Sequence, residues 1–233
     1  MVLLSFGLHA KTNQENETKI FNKGVMMKKK ILTTVLFMTC SIFAVAQQPK
    51  VIGNGQKRVK ELTKIVEAKN KQLSVDYARY GLFNKEVAKD YMAISEATFR
   101  AGDLDTSIKY ALFALKVEMK LRKENDPKLA KLYFDTGNKY YMHKEHPTAL
   151  LYMEKAATIY QNGSGNESLT LADAYEAIAS IYINLQDFQK SLEYSMKTLK
   201  IRERRLVHSD ESVQRTRKNI EFLQQKISHA KVK

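Results

Sequence analysis

Tryptophan is absent from this 233-residue chain, cysteine occurs once, proline three times and glycine nine times. One cysteine, Cys40, cannot form an intramolecular disulfide, which excludes a disulfide scaffold. So little proline and glycine argues against a loop-rich or β-sandwich protein and suits long helices. In place of tryptophan, 12 tyrosines and 10 phenylalanines supply bulk, and 44% apolar residues are enough for a real core. Catalytic signatures are also missing. There is no G-x-S-x-G, no phosphate-binding glycine loop and no H-E-x-x-H. Asn162-Gly163-Ser164-Gly165-Asn166 is glycine-rich, but no strand precedes it and no lysine follows, so it reads as a turn between helices. His143 and His146 offer two imidazoles, whereas zinc sites take about three or four ligands, so a solvated turn is expected. No cofactor, no metal and no enzymatic activity are expected.

The net charge is +14. Six lysines and two glutamates fall within residues 1–46, which leaves +10 on the rest. That balance suits an acidic partner or an anionic surface. Lys28-Lys29-Lys30 precedes an apolar run over residues 31–45, which closes on Ala44-Val45-Ala46. A basic start, a short apolar stretch and an A-x-A end predict a secretory signal peptide over residues 26–46, cleaved after Ala46. The run is shorter than the roughly 20 apolar residues a span needs, and an uncleaved anchor is the alternative. Met26 or Met27 then reads as the start, residues 1–25 as an upstream extension without a fold, and 47–55 as a linker. Phe37-Met38-Thr39 before Cys40 is a poor lipobox, so lipidation is not expected. The mature chain would have no cysteine, and would be periplasmic or secreted.

From residue 88 onward the chain repeats. Tyr91, Tyr133 and Tyr175 stand 42 residues apart. Around the second lie Leu129, Leu132, Thr136, Gly137 and Tyr140; around the third, Leu171, Ala174, Ile178, Ala179 and Tyr182. The spacing i, i+3, i+4, i+7, i+8, i+11 is one face of an α-helix. Val87, Tyr91, Ile94, Ser95 and Thr98 repeat it, with Asp90 as a polar replacement. A second helix follows each time, marked by Ser107, Ala111 and Ala114, then Ala149, Met153 and Ala156, then Ser191, Ser195 and Thr198. Small residues there let two antiparallel helices approach. Breakers within each pair are expected at Gly102-Asp103, His146-Pro147 and Gln186-Asp187. Between pairs they fall at Asn125-Asp126-Pro127, Gly163-Ser164-Gly165 and His208-Ser209-Asp210, with Asp126 as N-cap and Pro127 opening a helix.

The order aromatic, small, tyrosine, turn, small-x3-small-x2-small resembles the tetratricopeptide repeat. Asp103-Leu104-Asp105-Thr106-Ser107-Ile108 and Gln186-Asp187-Phe188-Gln189-Lys190-Ser191-Leu192 carry it. The common period is about 34; a 42-residue period with long second helices is similar to the kinesin-light-chain variety. The resemblance implies an all-α, right-handed superhelical stack of antiparallel helix pairs, with repeats over 88–129, 130–171 and 172–213. A decayed fourth copy, with Arg217 and Glu221 at the tyrosine and small positions, is expected as a capping helix over 214–233. Upstream, Val59, Leu62, Val66, Leu73, Tyr77 and Tyr80 predict a helix over 56–83, either a degenerate repeat or a coiled-coil arm.

In such a stack the first helices line a concave groove. The positions pointing away from each pair's core are Lys89, Met92, Glu96, Phe99 and Arg100, then Lys131, Phe134, Asp135, Asn138, Tyr141 and Met142. The third repeat adds Asp173, Glu176, Ser180 and Ile183, and the last helix adds Arg215, Lys218 and Asn219. Aromatics among charges suit a docked peptide, or else they pack on the neighbouring repeat. Met92 and Glu96 stand where chaperone-binding relatives place a carboxylate-clamp Lys and Asn, so that activity is not implied. The basic clusters at Lys57-Arg58-Val59-Lys60, at 116–123 and at 200–205 read as solvated helix ends; the export signal argues against nucleic acid. The expected function is an exported scaffold whose groove binds protein or peptide. The alternatives are the truncated sensor region of a bacterial signalling or transcription regulator, and a hydrolase of envelope polymers.

Overall fold

The computed structural model describes residues 54–164 and 167–231. The expected signal peptide, Cys40, the expected upstream extension and residues 47–53 of the expected linker lie outside them. Among the described residues there are eight helices and no strand: α1 Asn54–Tyr80, α2 Lys85–Ala101, α3 Leu104–Leu121, α4 Pro127–Met142, α5 His146–Ser164, α6 Leu169–Asn184, α7 Phe188–Arg205 and α8 Glu211–Lys231. None of these is long and apolar enough to cross a membrane.

The helix ends obey the sequence period. Lys85, Pro127, Leu169 and Glu211 open α2, α4, α6 and α8 at 42-residue intervals. Each is preceded by a short polar N-cap whose oxygen accepts a first-turn N–H: Asn84 from Glu86 at 2.9 Å, Asp126 from Lys128 at 2.8 Å, Ser168 from Leu171 at 3.2 Å and Asp210 from Ser212 at 2.8 Å. Such caps are worth about 1 kcal/mol each, so the repeat is written into helix starts as well as core positions. Asp103 and Asp187 cap α3 and α7 in the same way at 3.0 Å. The helix pairs therefore begin three residues before the expected repeat windows at 88, 130 and 172, and the last helix before 214.

Each pair packs antiparallel through the predicted small residues, and each pair packs on the next. Ser107, Ala149 and Ser191 are fully buried where α3, α5 and α7 cross their partners. Ser95 Oγ donates to Ser107 O at 2.8 Å, Ser107 Oγ returns to Ser95 O at 2.9 Å, and Ser191 Oγ donates to Ala179 O at 2.9 Å. The middle pair solves the crossing differently. A Cβ on Gly137 would meet Met153 at 3.1 Å, so the missing side chain makes room for a large buried one. Fully buried Ile94, Met153, Leu171, Ile178 and Ile181 fill the core of the stack, at about 1.5–3 kcal/mol each in removed apolar surface.

Three tyrosine pairs mark equivalence. Tyr91–Tyr110, Tyr133–Tyr152 and Tyr175–Tyr194 have ring centroids 6.0, 6.1 and 5.6 Å apart. Phe113, Lys155 and Lys197, again 42 apart, cover the first ring of each pair at 5.4, 5.5 and 5.8 Å. Ring face and cation substitute for one another at one address.

Several boundaries differ from expectation. α1 ends at Tyr80, where Gly81 turns at φ 78°, rather than at 83. Its buried stripe is Leu62, Val66, Asn70, Leu73 and Asp76, while Val59 and Tyr80 are exposed. The turn of the middle pair lies at Lys144-Glu145 rather than at His146-Pro147; Pro147 falls in the first turn of α5, where its lost N–H costs nothing. Gly163 and Ser164 are helical rather than a breaker. α8 keeps Val213, Thr216 and Leu223 buried. Where the period calls for tyrosine, Arg217 pairs with Glu203 at 2.7 Å, so an ion pair replaces a ring.

Candidate functional site

The first helices α2, α4 and α6 lie side by side along one face. Between α4 and α6 this face opens into a hollow of about 420 Å³. Its walls are Phe134, Asn138 and Tyr141 from α4 and Asp173, Glu176 and Ser180 from α6, six residues singled out from the sequence. Met153, Ala177 and Ile181 complete it and were missed, since the pattern assigns Met153 to the core and leaves the other two unmarked. Asn184 Nδ2 donates to the Tyr141 hydroxyl at 2.9 Å, tying the two repeats at the rim.

The hollow has a charged wall. Arg202, on α7, is buried, contrary to the expectation of a solvated helix end. Its guanidinium donates to Asp173 Oδ1 at 2.9 Å, Glu176 Oε2 at 2.7 Å and Thr216 Oγ1 at 2.9 Å, joining α6, α7 and α8. Arg215 lies 3.5 Å from the other Glu176 oxygen. Burial alone would raise the Glu176 carboxyl, but the Arg202 hydrogen bond and charge, with Arg215 behind them, hold it below its usual value. The carboxylates are therefore already compensated, and what they leave facing the hollow is largely apolar.

The other predicted positions lie outside this hollow. Lys89 pairs with Glu86 at 4.0 Å, Arg100 with Glu96 at 2.7 Å and Lys131 with Asp135 at 3.1 Å, all on their own helices. Met92 is half-buried against the core, Ile183 is half-buried, and Met142 is exposed at the end of α4. Lys218 and Asn219 are exposed on α8. Phe99 is half-buried under the Lys139 ammonium, 4.9 Å from its ring centroid. Lys139 itself was missed. It occupies a position that is Ala97 one period earlier and Ile181 one period later, and a lysine on a buried register is a readable signal.

Among the described residues no group of three His, Cys, Asp or Glu could hold a metal. His143 contacts Asp105 at 3.1 Å and Glu145 at 3.0 Å, and His146 lies against Tyr141.

No protein-family model matches the sequence, and no curated protein matches it significantly. Solved structures do. A putative kinesin light chain from Podosopora anserina with nearly identical TPR-like repeats aligns over 75% of this chain and 84% of its own, at 11% identity and a TM-score of 0.64. RapI in its apo form aligns over 74% of this chain and 46% of its own, at 18% identity and 0.62. BtubC (BKLC) from P. vanneervenii aligns over 76% and 85%, at 16% identity and 0.56. The fold is thus that of the tetratricopeptide-type helical-repeat solenoids, all-α and stacked from antiparallel pairs. At these identities the likeness concerns the fold alone.

Proposed function

We propose that the chain is an exported, non-catalytic scaffold that docks a segment of another protein along the face formed by α2, α4 and α6. One observation carries the reading. The hollow between α4 and α6 presents Phe134 and Tyr141, over a floor that includes buried Ile181, beside side chains that are already hydrogen-bonded or ion-paired. Such a surface rewards an incoming apolar side chain and makes little demand on it electrostatically, which suits a peptide anchor. Solenoids of this kind spread binding over several repeats, which fits an extended occupant.

Export is part of the proposal. It rests on the Lys28-Lys29-Lys30 start, the apolar run and Ala44-Val45-Ala46, and places the mature chain in the periplasm or outside the cell. N-terminal sequencing of the secreted or envelope form should begin at Gln47. A protein that retains residues 26–46 in the membrane would be anchored instead.

Docking is tested by crosslinked capture from an envelope fraction with the wild-type chain and with Phe134→Ala/Tyr141→Ala. Circular dichroism should show that the variant keeps its helices. Partners should be lost on the double change; partners retained at full yield would place binding elsewhere.

A further inference from the structure

We infer that Lys139 anchors a carboxylate side chain of an extended acidic peptide, one repeat upstream of the hollow. The inference rests on the docking reading above and specifies the chemistry of its occupant.

The described residues contain two buried cations, Arg202 and Lys139. Arg202 is matched by two carboxylates. Lys139 is only 7% exposed, yet its contacts include no ion pair, and its ammonium rests on the Phe99 ring. The side-chain atoms that are both sealed and unpartnered among the described residues are Asp90 Oδ2 and His146 Nδ1, so the Lys139 ammonium is not fully sealed. A buried lysine normally finds a carboxylate. Two stand nearby, Glu96 and Asp135, close enough to act on it electrostatically. Each is already bound by its own neighbour, Arg100 at 2.7 Å and Lys131 at 3.1 Å. The cluster of Glu96, Arg100, Lys131, Asp135 and Lys139 therefore carries one surplus positive charge.

Register shows where the surplus faces. Ile181 and Tyr141 line the hollow between α4 and α6. One period earlier the same two addresses hold Lys139 and Phe99. The ammonium thus sits between α2 and α4 where an apolar wall stands between α4 and α6. Burial pushes it below its usual value, because desolvation disfavours the charged form and the nearby carboxylates offset this only in part. A carboxylate delivered there would find one surplus cation and no uncompensated anion. The same ligand could place an apolar side chain in the adjoining hollow against Phe134. Acid and apolar group on one strand of chain describe a peptide; a free anion would use only half of this surface.

The test selects a displayed library of random linear peptides against the full chain. Selected peptides that require Phe134 and Tyr141 should share one Asp or Glu. Changing that residue to Asn or Gln should weaken binding roughly ten-fold on wild type and on Lys139→Arg, but less than about two-fold on Lys139→Met. An equal loss on Lys139→Met, or groove-dependent peptides with no shared acid, overturns the assignment of Lys139 and leaves the docking face intact. A library that yields no peptide, or only peptides indifferent to Phe134→Ala/Tyr141→Ala, overturns the docking reading itself.

Discussion

Arg202 on α7 reaches Glu176 on α6 at 2.7 Å, and the same guanidinium touches Thr216 on α8 at 2.9 Å. One side chain thus closes the last repeat against the terminal helix. Its counterparts one and two periods earlier are Tyr160 and Glu118, so the lock is a local solution rather than a repeated one.

Replacing Arg202 with methionine should therefore cost about 2–3 kcal/mol, because half-buried Glu176 keeps only the more distant Arg215 and Asp173 loses its cation. The pH dependence carries a definite sign. Glu176 is held below its usual value, so its contribution is complete above the unfolded-state value and drains away as pH falls through the lowered one. Urea unfolding across acidic pH should show this loss in wild type and a flatter profile in Arg202→Met.

Asp90 behaves in the opposite sense. It is 3% exposed, its Oδ2 has no partner, and burial raises its carboxyl despite Lys69 at 3.3 Å. The ionised form penalises the fold, and the penalty is relieved as pH falls through the raised value. Asp90→Asn should gain about 1 kcal/mol at neutral pH and remove the mild-acid rise in melting temperature.

Legibility followed the local physics of each position. The 42-residue period, the helix pairs and the small-residue crossings could all be read because each depends on side-chain size at fixed spacing, and N-caps at Asn84, Asp126, Ser168 and Asp210 reinforce them. Two-thirds of the hollow was legible for the same reason: Phe134, Asn138 and Tyr141 stand off the core face of α4, and Asp173, Glu176 and Ser180 off that of α6. Arg202 was not, because a run of basic residues looks the same whether one member is buried or all are wet; Lys139 stands alone at an address that is apolar one period to either side, and that signal was passed over. Which carboxylate meets Arg202 depends on three helices coming together, and no spacing within one helix encodes that. The turn of the middle pair was misplaced because Pro147 looks like a breaker, whereas the chain reverses through Lys144 at φ 64°.

That turn supplies a further prediction. Gly102, Lys144 and Gln186 are 42 residues apart and all left-handed, at φ 86°, 64° and 60°. Only the first is glycine. Left-handed backbone costs a side-chain-bearing residue about 1–2 kcal/mol, partly offset by the entropy glycine loses on folding. Lys144→Gly and Gln186→Gly should each raise stability by about 0.5 kcal/mol in chemical denaturation, whereas Gly102→Ala should lower it.

The shared register is tested most directly by ring-to-ring nuclear Overhauser contacts in protein with selectively labelled tyrosines. Stacked equivalent pairs predict contacts for Tyr91–Tyr110, Tyr133–Tyr152 and Tyr175–Tyr194, whose centroids lie 6.0, 6.1 and 5.6 Å apart. Loss of any one of the three, or contacts that pair these rings out of step, would contradict the stack and every groove position derived from it.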